Sequence, residues 1–132
     1  REICKYSLKL NLDILIECNI SPKYFGILKE NVGIKNLFFL FDTGNRVNLK
    51  SNLYDDLMSF GGEIKHIHLK DKNKSNKNVS FNSGQINFVE VFKVLKKIKY
   101  KNSFTIESTR GRDALKTAKK NLLYFQNFIK KL

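Results

Sequence analysis

Asn36-Leu37-Phe38-Phe39-Leu40-Phe41-Asp42 is an unbroken apolar run closed by an acid. Too short for an ordinary helix and without polar alternation, it reads as a strand covered on both faces, as in a parallel sheet. Helical signals flank it. Upstream, Ser21-Pro22 supplies a capping residue and a proline for the first turn of a helix running to about Glu30. Before that helix, Leu12 to Glu17 reads as a short strand, preceded by a helical stripe of Ile3, Tyr6, Leu8 and Leu10. Downstream, Thr43-Gly44-Asn45 reads as a turn and Leu49 to Phe60 as a helix carrying Leu53, Leu57 and Phe60, stopped by Gly61-Gly62. Glu63 to Leu69 gives a third strand, and the polar stretch 70–83 a long loop. Phe88 to Ile98 then has helical spacing, Ser103 to Glu107 is a fourth strand, and Asp113 to Lys131 a last helix. The order α-β-α-β-α-β-loop-α-β-α predicts an α/β domain with parallel strands joined by right-handed crossovers.

The 132 residues suffice for one domain, 1–132, with a real core. No apolar stretch reaches the ~20 residues of a membrane span, and the opening REICKYSLKL lacks the apolar centre of a signal peptide, so no membrane partner is expected. Cys4 and Cys18 have neither CxxC spacing nor a disulfide framework, which suits a cytoplasmic location. The net charge of +13 raises a nucleic-acid partner. Its excess is lysine spread through every segment, not the arginine forks that read phosphates and bases, so specific nucleic-acid binding is not expected.

Each predicted strand ends on, or closely carries, a residue able to hold a metal: Glu17, Asp42, His68 and Glu107. A single acid in such a place often only caps the next helix, but four in succession are informative. In a (β/α)8 barrel the carboxyl ends of the strands converge on one mouth, so residues far apart in sequence meet there. Three carboxylates and an imidazole suit one hard or borderline divalent ion such as Mn, Mg or Co. His66 and His68, two apart on one strand, share a face. His66 lies deeper and is read as a substrate-side group. Arg110, just beyond the last strand, is a candidate for a substrate phosphate or carboxylate, and equally a solvated residue at a helix start. No Gly-x-Gly-x-x-Gly turn follows any strand, which disfavours a dinucleotide fold. A flavodoxin-like sheet would share the element order.

The blocks LIECN (15–19), LFDTGN (40–45), HIHLKDKN (66–73), SFNSGQINF (80–88) and FTIES (104–108) decide between these architectures. In that order the sequence resembles the xylose isomerase-like TIM-barrel superfamily of sugar isomerases, sugar-phosphate epimerases and apurinic endonucleases. The resemblance implies the carboxyl-terminal half of a TIM barrel, about four β/α units, with the metal on Glu17, Asp42, His68 and Glu107. It further implies that Glu17 and Glu107 are the catalytic acid and base, moving a proton beside a carbonyl of a small sugar or sugar phosphate through an enediolate. Two positions depart from the family pattern. Asn45 stands where many members carry histidine, leaving an amide suited to a sugar hydroxyl. Ser80 to Gly84 keeps only the last glycine of the block usually written Pro-Leu-Gly-x-Gly, which predicts a looser turn.

The alternative enzyme of the same superfamily, an apurinic endonuclease-like repair enzyme, needs further histidines for three metals. This chain has two histidines in all. The other alternative is an inactive half-barrel. A whole barrel takes about 250 residues, and the chain opens on Arg1 inside what reads as the helix before the fifth strand. It is therefore expected to be a piece that works with a missing amino-terminal half-barrel or with a second copy, and to be inactive alone.

Overall fold

A computed structural model describes residues 1–49 and 51–132 of the protein. Helix α1 (Glu2–Lys9) leads to strand β1 (Ile14–Ile16), helix α2 (Pro22–Val32) and strand β2 (Leu37–Asp42). A one-turn helix α3 (Thr43–Arg46) and helix α4 (Leu53–Phe60) follow, then a 3-10 turn (Gly61–Glu63) into strand β3 (Ile64–Leu69). Short strands β4 (Asp71–Lys72) and β5 (Asn78–Val79) precede helix α5 (Phe88–Lys97), strand β6 (Ser103–Ile106) and helix α6 (Ala114–Ile129). Strands β1, β2, β3 and β6 form one sheet in that order, parallel at every pairing, while β4 and β5 make a small antiparallel pair. This is half of a (β/α)8 barrel wall.

The local chemistry explains the elements. Ser21 accepts from the Tyr24 amide to cap α2, and Gly33, at φ +64°, ends it. Asn52, Asn87 and Asp113 likewise accept amides at the starts of α4, α5 and α6. Along β2 the side chains of Leu37, Phe39 and Phe41 are buried and those of Phe38 and Leu40 only half-buried. Thus the run is not covered equally on its two faces. Phe25, Phe39, Phe41 and Phe60 form the buried side, with Phe39 stacked on Phe60 at 4.0 Å between centroids. The other face is the inner wall of the barrel.

A bulge sets what that inner wall presents. Phe39 pairs with Ile64, but Leu40 pairs with His66, so Lys65 is an extra residue in β3. An unbroken register would set Asp42 beside Ile67. With the bulge, Asp42 lies beside His68, and both point to the inner face.

Several expectations are corrected. Thr43-Gly44-Asn45 belongs to a helical turn, because the Asp42 carboxylate accepts the Asn45 amide and caps it. The helix expected from Leu49 starts at Leu53, where Asn52 caps it; Lys50 lies outside the described residues. The stretch 70–83 contains β4 and β5. The α1 stripe does not face the core: Ile3 and Tyr6 are 71% and 67% exposed, whereas Cys4 and Ser7 are buried. The Asn36 side chain fixes that orientation, donating to the Cys4 carbonyl, Ser7 Oγ and the Leu12 carbonyl. Among the described residues no helix is long and apolar enough to cross a membrane.

Candidate functional site

Glu17, Asp42, His68 and Glu107 come together at the carboxyl ends of β1, β2, β3 and β6. One donor atom each from Glu17, Asp42 and His68 lie within 4.8 Å of one another. His68 Nδ1 is 3.8 Å from Glu17 Oε2, 3.9 Å from Asp42 Oδ2 and 2.8 Å from Glu107 Oε1. The Glu107 approach is close but off the N–H direction, so this buried nitrogen makes no hydrogen bond among the described residues. An imidazole nitrogen left unpaired among three carboxylates is free to accept a cation, unlike a hydrogen-bonded core histidine. The donor set therefore fits a divalent cation.

Burial divides the four. The Asp42 and His68 side chains are 2% and 16% exposed, whereas Glu17 and Glu107 are 38% and 37% exposed and reachable from the mouth. Both Asp42 oxygens are engaged, Oδ1 by the Asn45 amide and Oδ2 by Lys70 Nζ at 2.7 Å. Lys70 Nζ also meets Glu107 Oε2 at 2.6 Å. Burial pulls down the Lys70 ammonium's pKa, but hydrogen bonds and charge attraction from Asp42 and Glu107 outweigh it and hold the pKa above its ordinary value.

The remaining predicted residues separate. Asn45 is in the cluster, its Nδ2 donating to Glu17 Oε1 at 3.1 Å and its Oδ1 accepting from Lys72 Nζ at 3.2 Å. His66 lies deeper, with Nδ1 2.7 Å from Ser103 Oγ and Nε2 2.8 Å from Thr105 Oγ1. Both ring nitrogens are thus held by β6. Burial first, and then neighbouring His68, keeps its pKa below the ordinary value. Arg110 is exposed in the loop after β6, and no hydrogen bond or ion pair ties it to the cluster among the described residues. It borders a separate cleft of about 320 Å³ with Ser108, Thr109 and Thr117.

Sequence reasoning missed Lys70 and Arg46. Lys70 continues the two-residue alternation of His66 and His68, a signal present in the sequence but hidden because Lys70 stands one residue beyond the strand, at the start of a polar stretch. Arg46 is 1% exposed; its guanidinium donates to the Ile20 carbonyl and Asp56, and lies over Phe39, Phe41 and Phe60. It fixes α3, which carries Asn45. The turn at Ser80 to Gly84 is tied, not loose. The Gly84 amide donates to Asp71 Oδ2, and a Cβ on Gly84 would meet Asp71 Oδ1 at 2.0 Å. The one glycine retained from the family block is the one that sterics require.

Residues 6–128 match the family model for the xylose isomerase-like TIM barrel, and the chain belongs to that family. It is 29% identical to the uncharacterized protein MJ1311 of Methanocaldococcus jannaschii over 119 residues, 85% of this chain and 41% of that protein. Its fold is similar to a D-psicose 3-epimerase from Clostridium cellulolyticum H10 (TM-score 0.79, 16% identity, 97% of this chain and 53% of that one). It is also similar to a probable 3-DHS dehydratase from Bacillus anthracis (TM-score 0.77, 16% identity, 93% of this chain and 53% of that one). The chain thus spans about half the length of the proteins it resembles.

Proposed function

We propose that the chain supplies the metal- and proton-handling side of a sugar or sugar-phosphate isomerase or epimerase, working as part of a complete barrel. The observation that carries this reading is the unpaired His68 Nδ1, facing Glu17, Asp42 and Glu107 at 2.8 to 3.9 Å. Those four residues would hold one Mn, Mg or Co ion. Such an ion supplies Lewis-acid stabilisation of negative charge on a carbonyl-derived oxygen.

The chain's own residues do the rest. Glu17 and Glu107 are partly exposed carboxylates that follow the two edge strands, β1 and β6; in this reading they take a proton from the carbon beside a carbonyl and return one to it. The electron pair left by the C–H bond forms a carbon–carbon double bond while the carbonyl π pair moves onto oxygen, giving an enediolate. Asn45 steadies Glu17 and offers an amide to a hydroxyl, and His66 forms the inner wall. We assign Arg110 a secondary role at most, since its cleft is separate. The fold neighbours include an epimerase and a probable dehydratase, so the reaction type is assigned from the proton-handling pair.

The test uses the complete protein with Mn²⁺, a panel of ketoses, aldoses and their phosphates, and D₂O. Solvent deuterium should enter the carbon beside the carbonyl. The Glu17→Gln and Glu107→Gln variants should each slow that exchange by roughly 10²–10⁴-fold. Exchange that survives both substitutions undiminished would assign the proton transfer elsewhere.

A further inference from the structure

Lys70 sits in a place built for it. Thr43, itself fully buried, clamps its backbone from both sides: Thr43 Oγ1 accepts from the Lys70 amide at 2.9 Å and donates to the Lys70 carbonyl at 2.7 Å. The aliphatic stem runs along Gly44, where a Cβ would lie 2.7 to 3.0 Å from Lys70 Cγ, Cδ and Cβ. Any larger residue at 44 would displace the stem. The ammonium then bridges Asp42 Oδ2 and Glu107 Oε2 at 2.7 and 2.6 Å, with the side chain only 12% exposed. A clamp, a glycine channel and two carboxylate contacts, one of them to buried Asp42, distinguish it from the exposed lysines elsewhere in the chain.

Glu17, Asp42 and Glu107 put three negative charges around His68, and such a group repels itself without a cation. We propose that Lys70 is a resident counter-cation: it holds Asp42 and Glu107 in place in the metal-free protein and competes directly with the divalent ion for them. This rests on the metal reading above. Lys70 is here a positioning residue and does not touch the reacting carbon. Two effects oppose each other at metal binding, since the ammonium keeps the carboxylates ordered but repels an incoming dication. Repulsion between charges a few ångströms apart in a partly buried site exceeds the ordering cost of two short side chains, so competition wins.

The test compares the wild-type complete protein with its Lys70→Met and Lys70→Gln variants. Free Mn²⁺ is measured by electron paramagnetic resonance and the melting temperature is read with and without Mn²⁺. Removing the ammonium should tighten Mn²⁺ binding about tenfold or more. It should also lower the melting temperature without metal and enlarge the rise that Mn²⁺ produces. If Lys70→Met does not fold without metal, Lys70→Gln, which keeps a hydrogen-bond donor, gives the same comparison. Unchanged or weaker Mn²⁺ binding in the folded variants overturns the proposal while leaving the metal site standing. No Mn²⁺ binding by any of the three proteins removes the metal reading and this one with it.

Discussion

Arg46 shows how the site depends on a residue that never touches it. Its guanidinium is enclosed by three phenylalanine rings and shares Asp56 with Ser51 Oγ, which donates at 2.6 Å. Replacing it with methionine leaves Asp56 as a buried charge without its cation, and the expected loss is about 3–5 kcal/mol of folding stability, read from urea unfolding. His66 sets a pH dependence. Burial and His68 hold its folded pKa below its ordinary value of 6.5, so the unfolded chain binds more protons just below that pH. Its contribution is present above about pH 6.5 and is lost as the pH falls towards the lower folded value. The urea midpoint of wild type should therefore drop more than that of His66→Gln between about pH 7.5 and about pH 5.5. An equal drop in both would show that His66 carries no such linkage.

Among the elements, the bulge in β3 sets His68 beside Asp42. Strand identity was legible because Leu37 to Phe41 allow no helical stripe and the capping residues Ser21-Pro22 stand at the right distance from it. The bulge at Lys65 was not legible, since an extra residue in one strand shows only against its partner's register. The α1 stripe misled for a similar reason. Periodicity shows that a helix has an apolar face, but Asn36, through three hydrogen bonds, decides which face meets the sheet. Asn36→Ala should cost about 1–3 kcal/mol by removing those hydrogen bonds from a buried junction, read as a lower urea midpoint. Gly84→Ala should destabilise by a similar amount, about 1–3 kcal/mol, since its Cβ must push Asp71 aside. In both cases a midpoint unchanged from wild type would contradict the assigned contact.

The whole molecule is a barrel wall with its two flanks open. Most exposed large apolar side chains lie on or next to the terminal helices, Ile3, Tyr6 and Leu10 on or just after α1 and Leu115, Leu122 and Leu123 on α6, with Tyr24, Ile27, Met58 and Val89 on the helices between. Such surface is expected to be covered by a further half-barrel, and the 15.4 kDa chain produced alone should self-associate. A monodisperse monomer by analytical ultracentrifugation would contradict this. That Glu17, Asp42, His68 and Glu107 meet was legible because each ends or nearly ends a predicted strand and the fold brings strand ends together. The cation between them was not, because Lys70 lay in a stretch whose polarity reads as loop. The central claim is that Glu17, Asp42, His68 and Glu107 hold one divalent ion, and a Mn²⁺ titration of the complete protein tests it most directly. One equivalent per chain is predicted, abolished in His68→Ala. Three equivalents, or one that survives His68→Ala with undiminished affinity, would contradict it.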